Sequence, residues 1–216
     1  MVFRNRDSSV AVTLYPMVHI GEERFYKEAY DDAFSHDVAL VEGVRSPITR
    51  HLTRSYRWLN FRKLGLVLQP RAPAQEAVSA RIVRADLTPE EFHREWRKIS
   101  FPMRAALFVL APLLGVHRKL VGTRARLASK LSLEDRQSAE EILSWSPKLK
   151  PVNHSILHAR DKRLIECMAA EMDNSSSPER RIAVVYGARH MRAVLRELTK
   201  RGFHCSEASW RTIFSI

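Results

Sequence analysis

Three residues with side chains able to do chemistry each close an apolar, β-prone run: His19, Glu42 and His190. Val10-Ala-Val-Thr-Leu-Tyr-Pro-Met-Val18 leads into His19-Ile20-Gly21. Val38-Ala-Leu-Val41 leads into Glu42-Gly43-Val44-Arg45, and Ile182-Ala-Val-Val-Tyr186 leads into Gly187-Ala-Arg-His190. Continuous apolar runs of this length read as strands buried on both faces, and open α/β sheets gather their chemistry at the C-terminal ends of such strands. Two imidazoles and a carboxylate around one crevice suit metal-assisted or general acid–base chemistry. Each residue also has a structural reading. A histidine at a strand end can bond a loop carbonyl, and Glu42 can pair with Arg45 or another of the many arginines.

The elements that must position these groups follow from the pattern. After His19, Glu22 to His36 places Phe25, Ala29 and Ala33 at helical spacing beside Tyr26 and Tyr30. Glu22 and Glu23 stand in its first turn, where the helix dipole favours acids. Strand, helix and strand then form a parallel pair by a right-handed crossover. The middle, residues 48–150, reads as a largely helical insertion within a single α/β domain covering 1–216. Its arginine-rich stretch Arg45 to Arg71, with Tyr56, Trp58 and Phe61 interleaved, reads as one amphipathic helix. One break interrupts it. Ala80 to Ala85 is a short strand ending at Asp86, followed by a helix start with Thr88 as N-cap, Pro89 at the first position and Glu91 at the third. Phe101 to Trp145 is expected to be helical and to carry most of the exposed apolar surface. The last unit runs from a long helix, Asn153 to Met172, through a polar Ser loop to the strand Ile182–Tyr186. A helix over Met191–Arg201, capped by Gly202, and a final strand around His204 to Ile213 complete it. The expected fold is α/β, with a mixed, mainly parallel central sheet flanked by helices.

The charge is the unusual bulk property: 36 Lys and Arg against 24 Asp and Glu, a net +12. A basic surface attracts phosphate, acidic peptides, nucleic acid or anionic membrane. Hydrophobic content of 45% and charged content of 28% fit an ordinary globular chain and exclude wholesale disorder. Cys167 and Cys205 form no CxxC or finger pattern, so reduced thiols are expected rather than a disulfide framework. The charged start, Met1 to Asp7, lacks the apolar core of a signal peptide, which makes the cytoplasm the expected location. Ala105 to Val116 is the most apolar stretch, too short and too broken by Pro112 to span a bilayer. It reads instead as a buried or interfacial helix, packing over the sheet edge or joining two copies in a homo-oligomer.

The ordered blocks together resemble the Tiki/TraB superfamily, which takes in pheromone-shutdown and GumN-like proteins and is distantly similar to erythromycin esterases and ChaN-like proteins. The resemblance lies in Ala159-Arg160-Asp161, then Ile182 to Tyr186 and Gly187-Ala-Arg-His190, then an amphipathic helix ending near Gly202-Phe203. Earlier blocks are Leu14-Tyr-Pro-Met-Val-His19-Ile-Gly, Val41-Glu42-Gly43-Val44-Arg45, Phe61 to Gln69, and Val83-Arg-Ala-Asp86. Two departures stand out: Pro16 replaces the glycine of the first GxxH block, and Asp161 replaces the more usual asparagine. The resemblance implies a Tiki-type metal-dependent hydrolase that cleaves a peptide, amide or ester bond, with His19, Glu42, His190 and Arg160 catalytic. It implies zinc, manganese or cobalt on His19, Glu42 and His190, and substrate contacts from Arg45, Asp86, Asp161 and Gly187. A metal would activate water and polarise a carbonyl while Arg160 steadies the oxyanion. In the metal-free form a histidine takes a proton from water and the glutamate orients it.

A second function remains open: a binding protein that sequesters a peptide or anionic ligand without turnover, which Pro16 favours. Nucleic-acid binding rests on charge alone and lacks a reading motif. His154 and His158 share a helix face without the glutamate of HExxH, and read as structural or exposed. His36, His51, His93, His117 and His204 have no second ligand at a meaningful spacing.

Overall fold

The computed structural model describes residues 1–131, 152, 157–174 and 179–216. Its strands are β1 (Val2–Arg4), β2 (Val10–Met17), β3 (Ile20–Gly21), β4 (Val38–Val41), β5 (Val67–Leu68), β6 (Arg81–Arg84), β7 (Arg180–Gly187) and β8 (His204–Glu207). The α-helices are α1 (Glu23–Ala33), α2 (Pro47–Thr53), α3 (Phe61–Leu64), α4 (Pro89–Arg97), α5 (Phe101–Val121), α6 (Arg124–Leu131), α7 (Ala159–Asp173) and α8 (Met191–Lys200). The chain divides into two compact units. The first comprises Met1–Gly43, Gln69–Asp86 and Asp161–Ile213; the second comprises Val44–Leu68, Leu87–Arg160 and Phe214–Ile216. Within the stretch 48–150, Gln69–Asp86 thus returns to the first unit and supplies β6.

The first unit is a mixed α/β fold built on a six-stranded, mostly parallel sheet in the order β6-β4-β7-β2-β1-β8. β6, β4, β7 and β2 run parallel, and β1 is antiparallel to both β2 and β8. The side-chain period of two divides the sheet cleanly. Val10, Val12, Leu14, Val38, Leu40, Ile182, Val184 and Tyr186 share one core with Leu164, Met168 and Met172 of α7 and Met191, Val194 and Leu198 of α8. The alternate positions include the small residues Thr13, Ala183 and Ala39, in register across β2, β7 and β4. Helix α1 contacts β2 and β7 and buries Phe25, Tyr26, Ala29 and Ala33. Glu22 is the residue before α1, with no side-chain cap bond, so only Glu23 stands in the first turn.

The bonds of His36 show how one polar group is accommodated beside this packing. Its Nε2 lies 3.0 Å from the Thr13 hydroxyl and its Nδ1 lies 3.0 Å from the Asp32 carbonyl. Tyr15 meets the ring edge-on at 5.9 Å. Burial outweighs the Asp32 carbonyl and holds the imidazole below its ordinary value of 6.5.

The second unit keeps its own core: Phe92, Trp96, Ile99 and Val152, packed by Val44, Ile48, Leu52, Leu87, Met103 and Leu107. The expected single helix over Arg45 to Arg71 is instead three pieces and a short strand. Helix α2 runs into a 3₁₀ segment, Arg54–Trp58, and Leu59 then turns extended. Asn60 Oδ1 restarts the helix by accepting from Lys63 N at 3.2 Å, and Gly65, at φ 61°, ends it after one turn. The aromatic residues suggested one face, and these breaks won. The start of α4 is as expected: Thr88 Oγ1 accepts from Glu91 N at 3.2 Å, and Glu91 Oε2 accepts from Thr88 N at 2.9 Å. Helix α5 covers the first part of the expected 101–145 helix; residues 132–145 and 153–156 lie outside those described.

Thr88→Ala should lower unfolding free energy by about 1 kcal/mol in denaturant titration, through loss of the cap. His36 supplies a pH test. Its native pKa is depressed, so above about pH 6.5 both states hold it neutral and its contribution is complete. As pH falls below that value the unfolded chain takes up the proton first, and stability drops. A His36→Gln variant should show a flatter decline of Tm from about pH 7 to about pH 5 than the parent.

Candidate functional site

Parallel pairing brings the chemistry-bearing ends of the first unit to one edge. Met17 of β2 stands opposite Gly187 of β7, and Val41 of β4 stands opposite both Val185 of β7 and Arg84 of β6. His19, Glu42, Asp86 and the Gly187–His190 segment therefore all follow the carboxyl ends of four neighbouring strands. That is the edge at which α/β sheets place ligands.

Gly187 is the meeting point. Its N–H donates to Glu42 Oε2 at 2.6 Å, a short charge-assisted bond. A Cβ placed on Gly187 would stand 2.9 Å from that same oxygen and 3.5 Å from His190 Cδ2. Glycine here lets a carboxylate and an imidazole crowd the strand end from two sides. After Gly187 the chain makes a one-turn 3₁₀ segment, Ala188–His190, before α8, which turns His190 back into the protein where it is 3% exposed.

Asp161 fixes the ring. His190 Nδ1 donates to Asp161 Oδ1 at 2.6 Å. An ionised carboxylate only accepts, so Nδ1 carries a proton, and in the neutral ring the lone pair is then on Nε2. Tyr186 packs edge-on against the imidazole at 4.8 Å and 84°. The ring is thus held by a carboxylate and an aromatic wall, the kind of support that a general base or a metal ligand requires.

The other expected residues fall as follows. Asp86 is buried, and its Oδ2 accepts from Gly43 N at 2.9 Å, tying the turn after Glu42 to the end of β6. Gly43 has φ 152°, a conformation that side chains rarely adopt, so this turn depends on glycine. His19 is exposed in a bend two residues beyond β2, and its carbonyl accepts from Gln69 N at 2.9 Å. Pro16 does not turn the chain: β2 continues through it to Met17, with Pro16 exposed and beyond the residues that pair with β1. Arg160 directly precedes Asp161 on α7, and both Arg160 and Arg45 belong to the second unit. His158 is exposed, and His154 lies outside the described residues.

Among the described residues, no group of three His, Cys, Asp or Glu side chains is disposed to hold a metal ion. Glu42 and His190 gather at Gly187 as two of the three expected donors. Sequence reasoning did not anticipate the Asp161–His190 bond or the Tyr186 contact. The tyrosine directly before Gly187 was the one available signal for the latter. No family model matches the chain, and no curated protein or solved structure matches it either.

Gly187→Ala and Glu42→Gln both act on the same bond. Each should cost about 1–3 kcal/mol in denaturant unfolding, and the double variant should cost clearly less than the two together.

Proposed function

We propose that this chain is a hydrolase of the Tiki/TraB type, acting on a peptide, amide or ester bond at the Glu42–Gly187–His190 site. The Asp161–His190 bond, 2.6 Å long beside a carboxylate held by Gly187 N–H, is the observation that supports it. In this reading His190 Nε2 takes a proton from water as the water oxygen attacks the carbonyl carbon. Asp161 keeps the proton on Nδ1 and stabilises the imidazolium that forms. Glu42, its orientation set by Gly187, accepts a hydrogen bond from the same water and aims it. His190 then returns the proton to the departing nitrogen or oxygen as the tetrahedral intermediate collapses.

A zinc, manganese or cobalt ion would draw on Glu42 and His190, with His19 as third donor, and would lower the pKa of a bound water. Only two of these donors meet at Gly187, so the fit is incomplete. The binding-protein alternative is favoured by one observation: Pro16, itself exposed, keeps β2 extended where a glycine turn would bring backbone close to a ligand.

Turnover is measured with p-nitrophenyl esters and a fluorogenic peptide library, before and after chelation and with each of the three metals. His190→Asn should lower kcat by roughly 10²–10⁴-fold and Asp161→Asn by about 10²-fold, with cooperative unfolding retained. Saturable peptide binding without turnover under every metal condition would replace the hydrolase reading with the sequestering one.

A further inference from the structure

Helix α5 of the second unit holds eight of the ten large exposed hydrophobic residues among those described: Phe101, Phe108, Val109, Leu110, Leu113, Leu114, Val116 and Leu120. Val109 is 62% exposed, Leu113 56% and Leu120 77%. A helix this apolar is ordinarily buried on all sides. Its covered side is formed by Ala111 and Gly115 with half-buried Met103 and Leu107, and Phe108 stacks on His51 at 4.5 Å. Ala111 and Gly115 are the buried positions, and a Cβ on Gly115 would already stand 3.1 Å from Trp58. Small residues thus seat α5 on the Arg54–Trp58 segment, and the broad apolar side faces away from it.

Helix α5 itself carries cations and no acid, and Glu95 of α4, which precedes it, pairs with Lys98 at 2.7 Å. The sequence has no acidic residue from Trp96 to Leu133, a stretch that includes Arg97, Lys98, Arg104, Arg118, Lys119, Arg124, Arg126 and Lys130. A second acid-free stretch of the same unit, Val44–Leu68, adds Arg45, Arg50, Arg54, Arg57, Arg62 and Lys63. Exposed Arg97 and exposed Lys119 stand at the two ends of the apolar part of α5, whereas Arg118 turns to the covered side and bonds the Ser55 hydroxyl at 2.6 Å. Apolar area flanked by cations at both ends is the pattern of a helix lying at the boundary between headgroups and acyl chains.

We infer that the outer face of α5 is a docking surface for an anionic phospholipid bilayer, with the helix lying in the plane of the interface. A second copy fits less well, because pairing two such faces brings acid-free basic segments together. A polyanion such as nucleic acid would answer the charge and leave the leucines in water. Spanning is a poor alternative as well. No single described helix is long and apolar enough to cross a membrane, and α4 and α5 pass such a test only as a pair bent by 117°. Drawing α4 into a bilayer would unpick Phe92 and Trp96 from the core of the unit.

Vesicle flotation tests this with the purified full chain, using phosphatidylcholine vesicles and vesicles containing about 30% phosphatidylglycerol. The chain should float with the anionic vesicles and do so at least roughly tenfold more weakly with the neutral ones. A Val109→Gln/Leu113→Gln/Leu120→Gln variant should lose at least roughly tenfold in affinity through lost apolar burial. Lys119→Glu/Arg126→Glu, at two exposed positions, should also weaken flotation, by roughly tenfold or more. Circular dichroism and melting curves check that each variant folds. If the triple variant does not fold, the charge variant and the lipid dependence of the parent still decide. Absence of flotation overturns the inference. A dimeric mass that the triple variant makes monomeric then assigns the face to a second copy, and a monomeric mass assigns it to another part of the chain. Flotation that the triple variant leaves unchanged overturns it equally.

Discussion

The first unit depends on where β7 sits. Its backbone pairs with β2 on one side and β4 on the other, over eight and four residue pairs. Residues far apart in sequence become neighbours through that double ladder. Glu42 meets Gly187 because Val41 is locked opposite Val185, and a slip of one residue would send every alternate side chain to the wrong face. The large residues that one face packs against α7 and α8 make any such slip costly. The site is therefore a property of strand register first and of side chains second.

Its polar groups are arranged in two tiers. Gly187 N–H and Gly43 N–H are backbone donors at strand ends, and each is answered by a carboxylate from a neighbouring strand end, Glu42 or Asp86. These bonds fix the turns. Asp161 comes from a helix and holds the ring of His190.

Much of this was legible. Ile182 to Tyr186 and Val38 to Val41 announce buried strands by unbroken apolar composition, and each of those residues is buried. Thr88-Pro89-Glu90-Glu91 announces a helix start because the cap is settled among adjacent residues. Strand order was not legible. Nothing in β2 or β4 states that β7 will stand between them, since all three are equally apolar. Asp161 was visible only as part of a motif; its bond to His190 depends on how α7 packs on the sheet. The stretch Arg45 to Arg71 misled because aromatic spacing outweighs a lone asparagine and glycine to the eye, whereas backbone geometry at Asn60 and Gly65 decides.

The place of β7 also has a consequence in time. β2 and β4 are made early in the chain, and the strand that separates them follows more than a hundred residues later. Until it arrives, two strongly apolar strands have a gap between them and no central partner. Closing that gap is a long-range event, and long-range pairing is slow because chain entropy is lost before contacts offset it. The nascent chain must therefore carry an unfinished sheet with exposed edges through most of its synthesis. This is the interval in which strand mispairing and aggregation compete with folding, and in which a chaperone would act.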